Sequence, residues 1–350
     1  MTTRRLFLAG LAAAAMPKPS WADAGTPAYL SAGKRGEAYV LHGLDETGGT
    51  LFALPLPARG HAAAAHPIRP EAVAFARRPG TYALVIDCRT GAVRHRLTPP
   101  DANQFNGHGA FTADGGLLMT SEVVAETSQG RIGLWDATSY RRIGEWSSGG
   151  IGPHEIRRMP SGALMVANGG IATDPHDRTK LNLPDMRPNL SLIGPDGALR
   201  DQAELAGLHQ NSIRHLALVP GGVAFAMQWE GDPAEPVPQL GIWQPGNAPV
   251  LCPPDDAAMF AMQGYAGSIA ATKTRIAITS PRGGVVMLFD MDGQPVATHR
   301  RADICGVAAS GNGFLASDGS GALWHLTDAG LQPASSGGPQ WDNHMVALAV

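Results

Sequence analysis

Apolar and polar positions along this chain recur in short paired runs. One copy reads GHGAFTADGGLLMTSE and then GRIGLWDATSYRRIGEW; the next reads PHEIRRMPSGALMVAN and then NLSLIGPDGALRDQAEL. The series continues as RHLALVPGGVAFAMQW with QLGIWQPGNAPVL, GSIAATKTRIAITS with GGVVMLFDMDGQPVATHR, and CGVAASGNGFLASD with GALWHLTDAGLQP. Each copy holds an inner apolar strand, a Gly turn, a second strand ending on a small polar residue, another turn and two further strands. Short alternating runs without sustained helical periodicity predict β-structure throughout. Fainter copies cover residues 66–98 and 28–57; the second of these lacks an inner strand, and the C-terminal WDNHMVALAV is a strand left over. Units this small cannot bury an apolar face alone and must stack. Four strands per unit and seven units predict an all-β, seven-bladed propeller closed by N- and C-terminal strands, an arrangement that leaves no free strand edge.

The Gly turns fix the register between copies. His108 stands eight residues before Gly116, His154 eight before Gly162, Arg214 eight before Gly222 and Cys305 eight before Gly313. His344 fits the terminal strand at about the same depth, while Ser268 (or Gly267) and Ala72 occupy this column in the remaining units. A closed ring brings such a column to one axis, so His108, His154, His344 and Cys305 are candidate metal ligands. Imidazole and thiolate suit Fe, Cu, Zn or haem iron and argue against Ca or Mg. Arg214 is the candidate partner of an anionic ligand. Two further readings of the column are a small anion held by Arg214 and the histidines, and a channel holding only ordered water. His209 and His215 are adjacent alternatives. His215 follows Arg214 directly, so strand alternation is expected to turn it away from the axis.

In an up-and-down blade the loop between second and third strands returns to the face where the inner strand begins. Those loops are the elaborated ones, at residues 122–129, 169–189 and 230–239. Connections beyond about 12–15 residues are usually functional or disordered, and the 169–189 loop, with Asp174, His176 and Asp177, is a candidate lid. Second strands end near this face on Glu122, Asn168, Gln228, Ser280 and Asp318, which either touch a ligand or satisfy turn backbones. Trp229 and Tyr265 either wall a pocket or pack between blades. The candidate ligand-binding set is therefore Arg214, Asn168, Glu122, Trp229, Ser268 and His176.

Composition narrows the function classes. Among 350 residues only 16% are charged, while Gly (44) and Pro (28) are abundant, as many tight turns require. The net charge of −3 and the lack of a basic run argue against nucleic acid. Residues 1–24 read as a twin-arginine export signal: Arg4-Arg5 precede an apolar stretch too short to span a bilayer, and Ala22-Asp23-Ala24 offers an A-x-A cleavage site. The expected mature chain, 25–350, is one periplasmic domain without a membrane span. Cys88, Cys252 and Cys305 fall in repeats that are not ring neighbours, so free thiols are expected even in an oxidising compartment. No HExxH, CxxCH, P-loop or G-x-S-x-G motif occurs.

The twin-arginine leader together with NGHGAF, GIGPHEI, NSIRHLA and WDNH resembles a bacterial periplasmic family, domain of unknown function 1513, over nearly the whole mature chain. That resemblance implies a role near periplasmic iron or other metal handling, beside imelysin-like partner proteins. It supplies no catalytic residues to carry over. The leading expectation is thus a periplasmic propeller that binds a transition metal or metal complex in metal acquisition. Alternatives are a metal-dependent oxidoreductase or lactonase-like hydrolase using the same ring, and a protein-interaction scaffold with an inert channel.

Overall fold

In the computed structural model, which describes residues 27–348, seven four-stranded antiparallel sheets are arranged as blades around one axis. The export signal expected over residues 1–24 lies outside the described residues. The innermost strands are Gly60–Ala65, Asn103–Phe111, Pro153–Arg158, Asn211–Val219, Ser268–Ala271, Ile304–Ser310 and Gln340–Ala347. Each packs against the next and the last packs against the first, so the circle is complete. The first blade is composite, as its missing inner strand foretold. Gln340–Ala347 pairs with Tyr29–Arg35, and Ser31 Oγ donates to the His344 carbonyl at 2.9 Å.

Burial explains the sequence pattern. Second strands such as Leu164–Asn168 and Ile276–Ser280 are covered on both faces and buried at every position, so they read as continuous apolar runs. Outer strands such as Pro295–Arg300 are half-solvated and alternate. Among the described residues the core divides into seven clusters, one at each blade–blade junction. At one junction Met165 and Leu190 meet Phe225 and Trp243 of the next blade. A fully buried side chain of this size contributes roughly 1.5–3 kcal/mol. No blade carries a core of its own. Among the described residues, one short α-helix, Asp256–Ala261, and one 3-10 turn, Leu183–Asp185, lie outside the strands, and no described helix is long and apolar enough to cross a membrane.

One blade departs from the sequence register. The inner strand of the second blade is Gly60–Ala65, and Glu71–Ala76 is its second strand. Ala72 is therefore not in the axial column. The turn between these strands, residues 66–70, carries Pro67 and Pro70 where most other copies carry Gly, so the alignment on glycines slips by one strand.

Removing residues 338–350 deletes the closing strand and takes Trp341 and Met345 from the junction between the last and first blades. The expected outcome is loss of cooperative thermal unfolding and association through the exposed inner edge, read by circular dichroism and size-exclusion chromatography. A monomer with an unchanged midpoint would contradict closure as the source of stability.

Candidate metal centre and the cavity above it

Six of the seven inner strands carry a bulge at the depth of the axial column. Two or three residues there oppose one on the second strand, at His61–Ala62, Asn106–His108, His154–Glu155, Cys305–Gly306 and Asp342–His344, and Arg214 is an unmatched insertion in its strand. A bulge interrupts alternation and re-aims a side chain. The consequence is clearest in the fifth blade. Arg214 is the extra residue, so Arg214 and His215 both face the interior of the ring, and the expectation that alternation turns His215 outward is corrected.

Five imidazoles meet at the axis: His61, His108, His154, His215 and His344. Ring centroids lie 4.4 Å apart for His61 and His344, 4.9 Å for His61 and His108, and 4.8 Å for His108 and His154. His154 and His215 are 4.7 Å apart, and His215 and His344 are 4.8 Å apart. Two overlapping triads can offer ligand atoms to an ion: His61, His108 and His344, and His108, His154 and His215, each with its atoms within 4.8 Å of one another. Drawing such a triad to the roughly 2.0–2.1 Å of a Zn–N bond needs inward movement of under about 1 Å per side chain.

The electronic state of the ring suits a metal. Burial holds His61, His154 and His344 far below the ordinary imidazole pKa, with neighbouring histidines and arginines adding to the effect. His108 is pushed down to about 3, chiefly by burial, against the opposing pull of Glu155. Neutral imidazole is the metal-binding form. His61 Nδ1, His108 Nε2, His154 Nδ1 and His344 Nε2 are buried with no hydrogen-bond partner among the described residues. Buried polar atoms are ordinarily paired, so four orphaned nitrogens within one ring of histidines fit an ion or ordered water there. Behind the ring Glu155 Oε2 lies 3.5 Å from His215 Nδ1 and accepts from the Leu216 N–H at 3.0 Å, while Glu155 Oε1 pairs with Arg157 at 2.6 Å. Burial alone would raise the Glu155 carboxyl, but Arg157 and His215 outweigh it and keep it ionised. A carboxylate behind a histidine orients it as carboxylates do behind metal-bound imidazoles.

Gly107 makes the close approach possible. Its φ is +94°, and a Cβ there would fall 2.2 Å from His61 Cδ2. The NGHG motif thus pairs a candidate ligand with the glycine that admits its neighbour.

Above the ring opens a cavity of about 220 Å³. His61, His154, His215 and His344 form its floor; Trp229, Gln228, Tyr265 and Asn343 line its sides, with Arg214 among the surrounding cationic groups. The 169–189 loop, the candidate lid, contributes Arg178 and Lys180 to its lining. His176 is exposed and does not line the cavity, and Asp174 and Asp177 spend their carboxylates on turn backbone: Asp174 accepts from the His176 N–H at 2.8 Å, and Asp177 from the Thr179 N–H at 2.8 Å.

Other expected ligands are elsewhere. Cys305 is outside the histidine ring: its thiol contacts the Asp303 carbonyl at 2.9 Å, lines a separate cavity with Arg59 and Asp342, and is pushed upward by burial and Asp303, away from the reactive thiolate. Ser268 accepts from the Val307 N–H at 3.4 Å, a contact between inner strands. Asn168 is enclosed by Ser148, Asn189 and Ser191, and Glu122 by Arg142, Thr120 and Asn103. These second-strand ends serve structure. His108, His154, His344, Arg214 and Trp229 do converge. Cys88, Cys252 and Cys305 are buried, unpaired thiols.

A family model described as "Protein of unknown function (DUF1513)" matches residues 54–348. A search of curated proteins returns no match. Among solved structures, similar folds include RRP9 WD40 repeats (15% identity, 88% of this chain and 85% of that chain, TM-score 0.60). Hydrazine synthase of Kuenenia stuttgartiensis is another (14%, 81% and 87%, TM-score 0.60), as is U3-55K (15%, 80% and 82%, TM-score 0.59). Such identities speak to the propeller alone.

Two outcomes follow. Gly107→Ala should cost about 1–3 kcal/mol, from a non-glycine residue at positive φ and displacement of His61; urea unfolding measures it, and an unchanged midpoint would remove the packing argument. The second concerns pH in metal-stripped protein. The folded-state pKa values are depressed, so below about 6.5 the unfolded chain takes up protons that the folded ring refuses. Stability should fall as pH drops from about 6.5 toward 4, by up to about 1.4 kcal/mol per pH unit for each such histidine. His108→Gln should flatten that slope. A wild-type profile level across this window would show that the folded ring takes up protons as readily as the unfolded chain.

Proposed function

We propose that this chain, which belongs to the DUF1513 family, is a periplasmic propeller that binds a transition-metal ion at its axis and serves metal acquisition. One observation carries the reading: five imidazoles from five blades converge within contact of one another, and four present orphaned buried nitrogens. An all-nitrogen set of neutral ligands suits Zn, Cu or Fe and is foreign to Ca and Mg, which take oxygen. His108 belongs to both triads and is the pivotal ligand; His61, His154, His215 and His344 complete the set. The cavity of about 220 Å³ is smaller than the roughly 300–1,000 Å³ typical of drug-sized ligands, which favours an ion with a small co-ligand over haem.

The compartment and the iron context come from the leader and the family resemblance. The twin-arginine reading of residues 1–24 puts the folded domain in the periplasm, where imelysin-like proteins of iron uptake are the natural partners. Neither thiolate nor carboxylate stands in the ring itself, so the bound ion keeps its full positive charge, a state suited to handing it on or to taking an anionic co-ligand.

Elemental analysis of protein purified from periplasm, and of stripped protein reloaded with Zn, Cu or Fe, tests this. One ion per chain is expected in the wild type. His108→Ala should weaken binding at least tenfold, and His61→Ala or His154→Ala less, because each serves one triad. Glu155→Gln should cost roughly 10–100-fold through loss of His215 orientation. Wild-type protein that retains no stoichiometric metal after reloading with all three would end the reading.

A further inference from the structure

The cavity above the ring has a charge that the histidines do not explain. Six cationic side chains line it, Arg77, Arg78, Arg178, Lys180, Arg214 and Arg282, against the single carboxylate of Glu230. That carboxylate is already paired with Lys180, and nearby Asp342 is taken by Arg59 at 2.6 Å. Arg282 lies over the Tyr265 ring at 4.3 Å. Arg77, Arg78, Arg178 and Arg214 have no carboxylate in ion-pair range among the described residues. Arg214 is only 4% exposed, and its Nε is buried without an acceptor. Its neighbour Gly169 leaves room for it: a Cβ there would meet Arg214 Nη1 at 3.2 Å.

We propose that this cavity binds a small multivalent oxyanion, a polycarboxylate or a phosphate, gripped by Arg78 and Arg214 and covered by Arg178 of the 169–189 loop. Buried charges are found paired, because an unpaired one loses its hydration without recompense. Here the protein brings arginines together and supplies only Glu230, already paired with Lys180, as counter-charge within the cavity. Burial, with Arg214, Arg178 and Arg77 beside it, presses the Arg78 guanidinium down to about 9, yet it stays protonated at neutral pH. Guanidinium forks match the planar oxygen pairs of carboxylate and phosphate. The elements delivering these arginines differ: Arg77 and Arg78 from the second-to-third-strand loop of the second blade, Arg178 from that of the fourth, and Arg214 from an inner-strand bulge. A pocket assembled from three blades with a large excess of positive charge is a shaped site and no solvated surface run. The proposal stands without the metal, since the gripping groups are arginines.

The test uses the full chain stripped of metal, titrated calorimetrically with citrate and, separately, with inorganic phosphate at low ionic strength. One anion per chain should bind, with affinity falling as salt rises. Arg78→Gln and Arg178→Gln should each weaken binding about tenfold or more; Arg178 is exposed, so its variant folds whatever becomes of the other. His108→Ala should leave anion affinity within about twofold while abolishing metal retention, which separates this site from the ring. Tighter binding of citrate assigns a carboxylate ligand, and tighter binding of phosphate a phosphate. No binding of either anion by wild type, binding untouched in both arginine variants, or loss of the anion in His108→Ala would each overturn the proposal.

Discussion

Everything in this molecule depends on closing the circle of inner strands. No blade has a private core; apolar side chains are buried only at junctions, and seven blades have seven junctions only if the last meets the first. The strand that makes this happen, Gln340–Ala347, joins the first blade through pairing to Tyr29–Arg35 and carries His344. Completing the fold and completing the histidine ring are therefore one event. A chain whose terminal strand is undocked lacks an imidazole at the axis as well as two apolar anchors, Trp341 and Met345. Such coupling makes metal affinity a reporter of folding, since a preformed site does not exist in the open chain.

Closure alone would only line a channel with alternate side chains. The bulges turn a channel into a site. Regular alternation would send every second residue of an inner strand into a blade junction, whereas interrupted pairing lets His154 face the axis with Glu155 directly behind its neighbour His215. The disruption has a cost in ladder hydrogen bonds, offset by the junction packing on either side. That balance explains why the polar machinery sits at one depth and the inner strands below it pair regularly: Ala63–Ala65, Gly109–Phe111 and His215–Val219 run in unbroken register with their partners.

The sequence made the architecture legible because repeat period, burial on both faces of inner blades and alternation on outer ones all follow from the same stacking. Column residues eight positions before a glycine were legible for the same reason, and His108, His154 and Arg214 converge. What escaped is physical in each case. His61 is hidden because GHAAAA is followed by a Pro-bounded turn that no Gly marks, so the second blade was read one strand late. His215 is hidden because strand alternation holds only where pairing is regular, and a single inserted residue reverses it. Cys305 shares the column and the bulge with the histidines, yet its thiol turns to Asp303; position in a repeat fixes depth, while the local backbone fixes direction. Glu122 and Asn168 satisfy neighbouring polar groups, the ordinary fate of polar strand ends.

Charge links the two halves of the site. The ring supplies neutral ligands, so it offers a cation geometry and lone pairs without counter-charge. The cavity over it has walls that carry six positive groups and one paired carboxylate, and a dication reaching the ring from that side would have to pass them. Bare, it would be repelled along the whole approach. The same walls would attract an ion wrapped in carboxylates or phosphate, Arg78 and Arg214 being the groups that would hold the wrapping and the imidazoles those that would hold the metal. On the proposed function, a cationic vestibule over this ring would favour a metal delivered as an anionic complex, by repulsion of the free ion as much as by attraction of the chelate. Lys180 and Arg178 on the loop add to that selection at the outermost point, where long-range fields act before any contact is made.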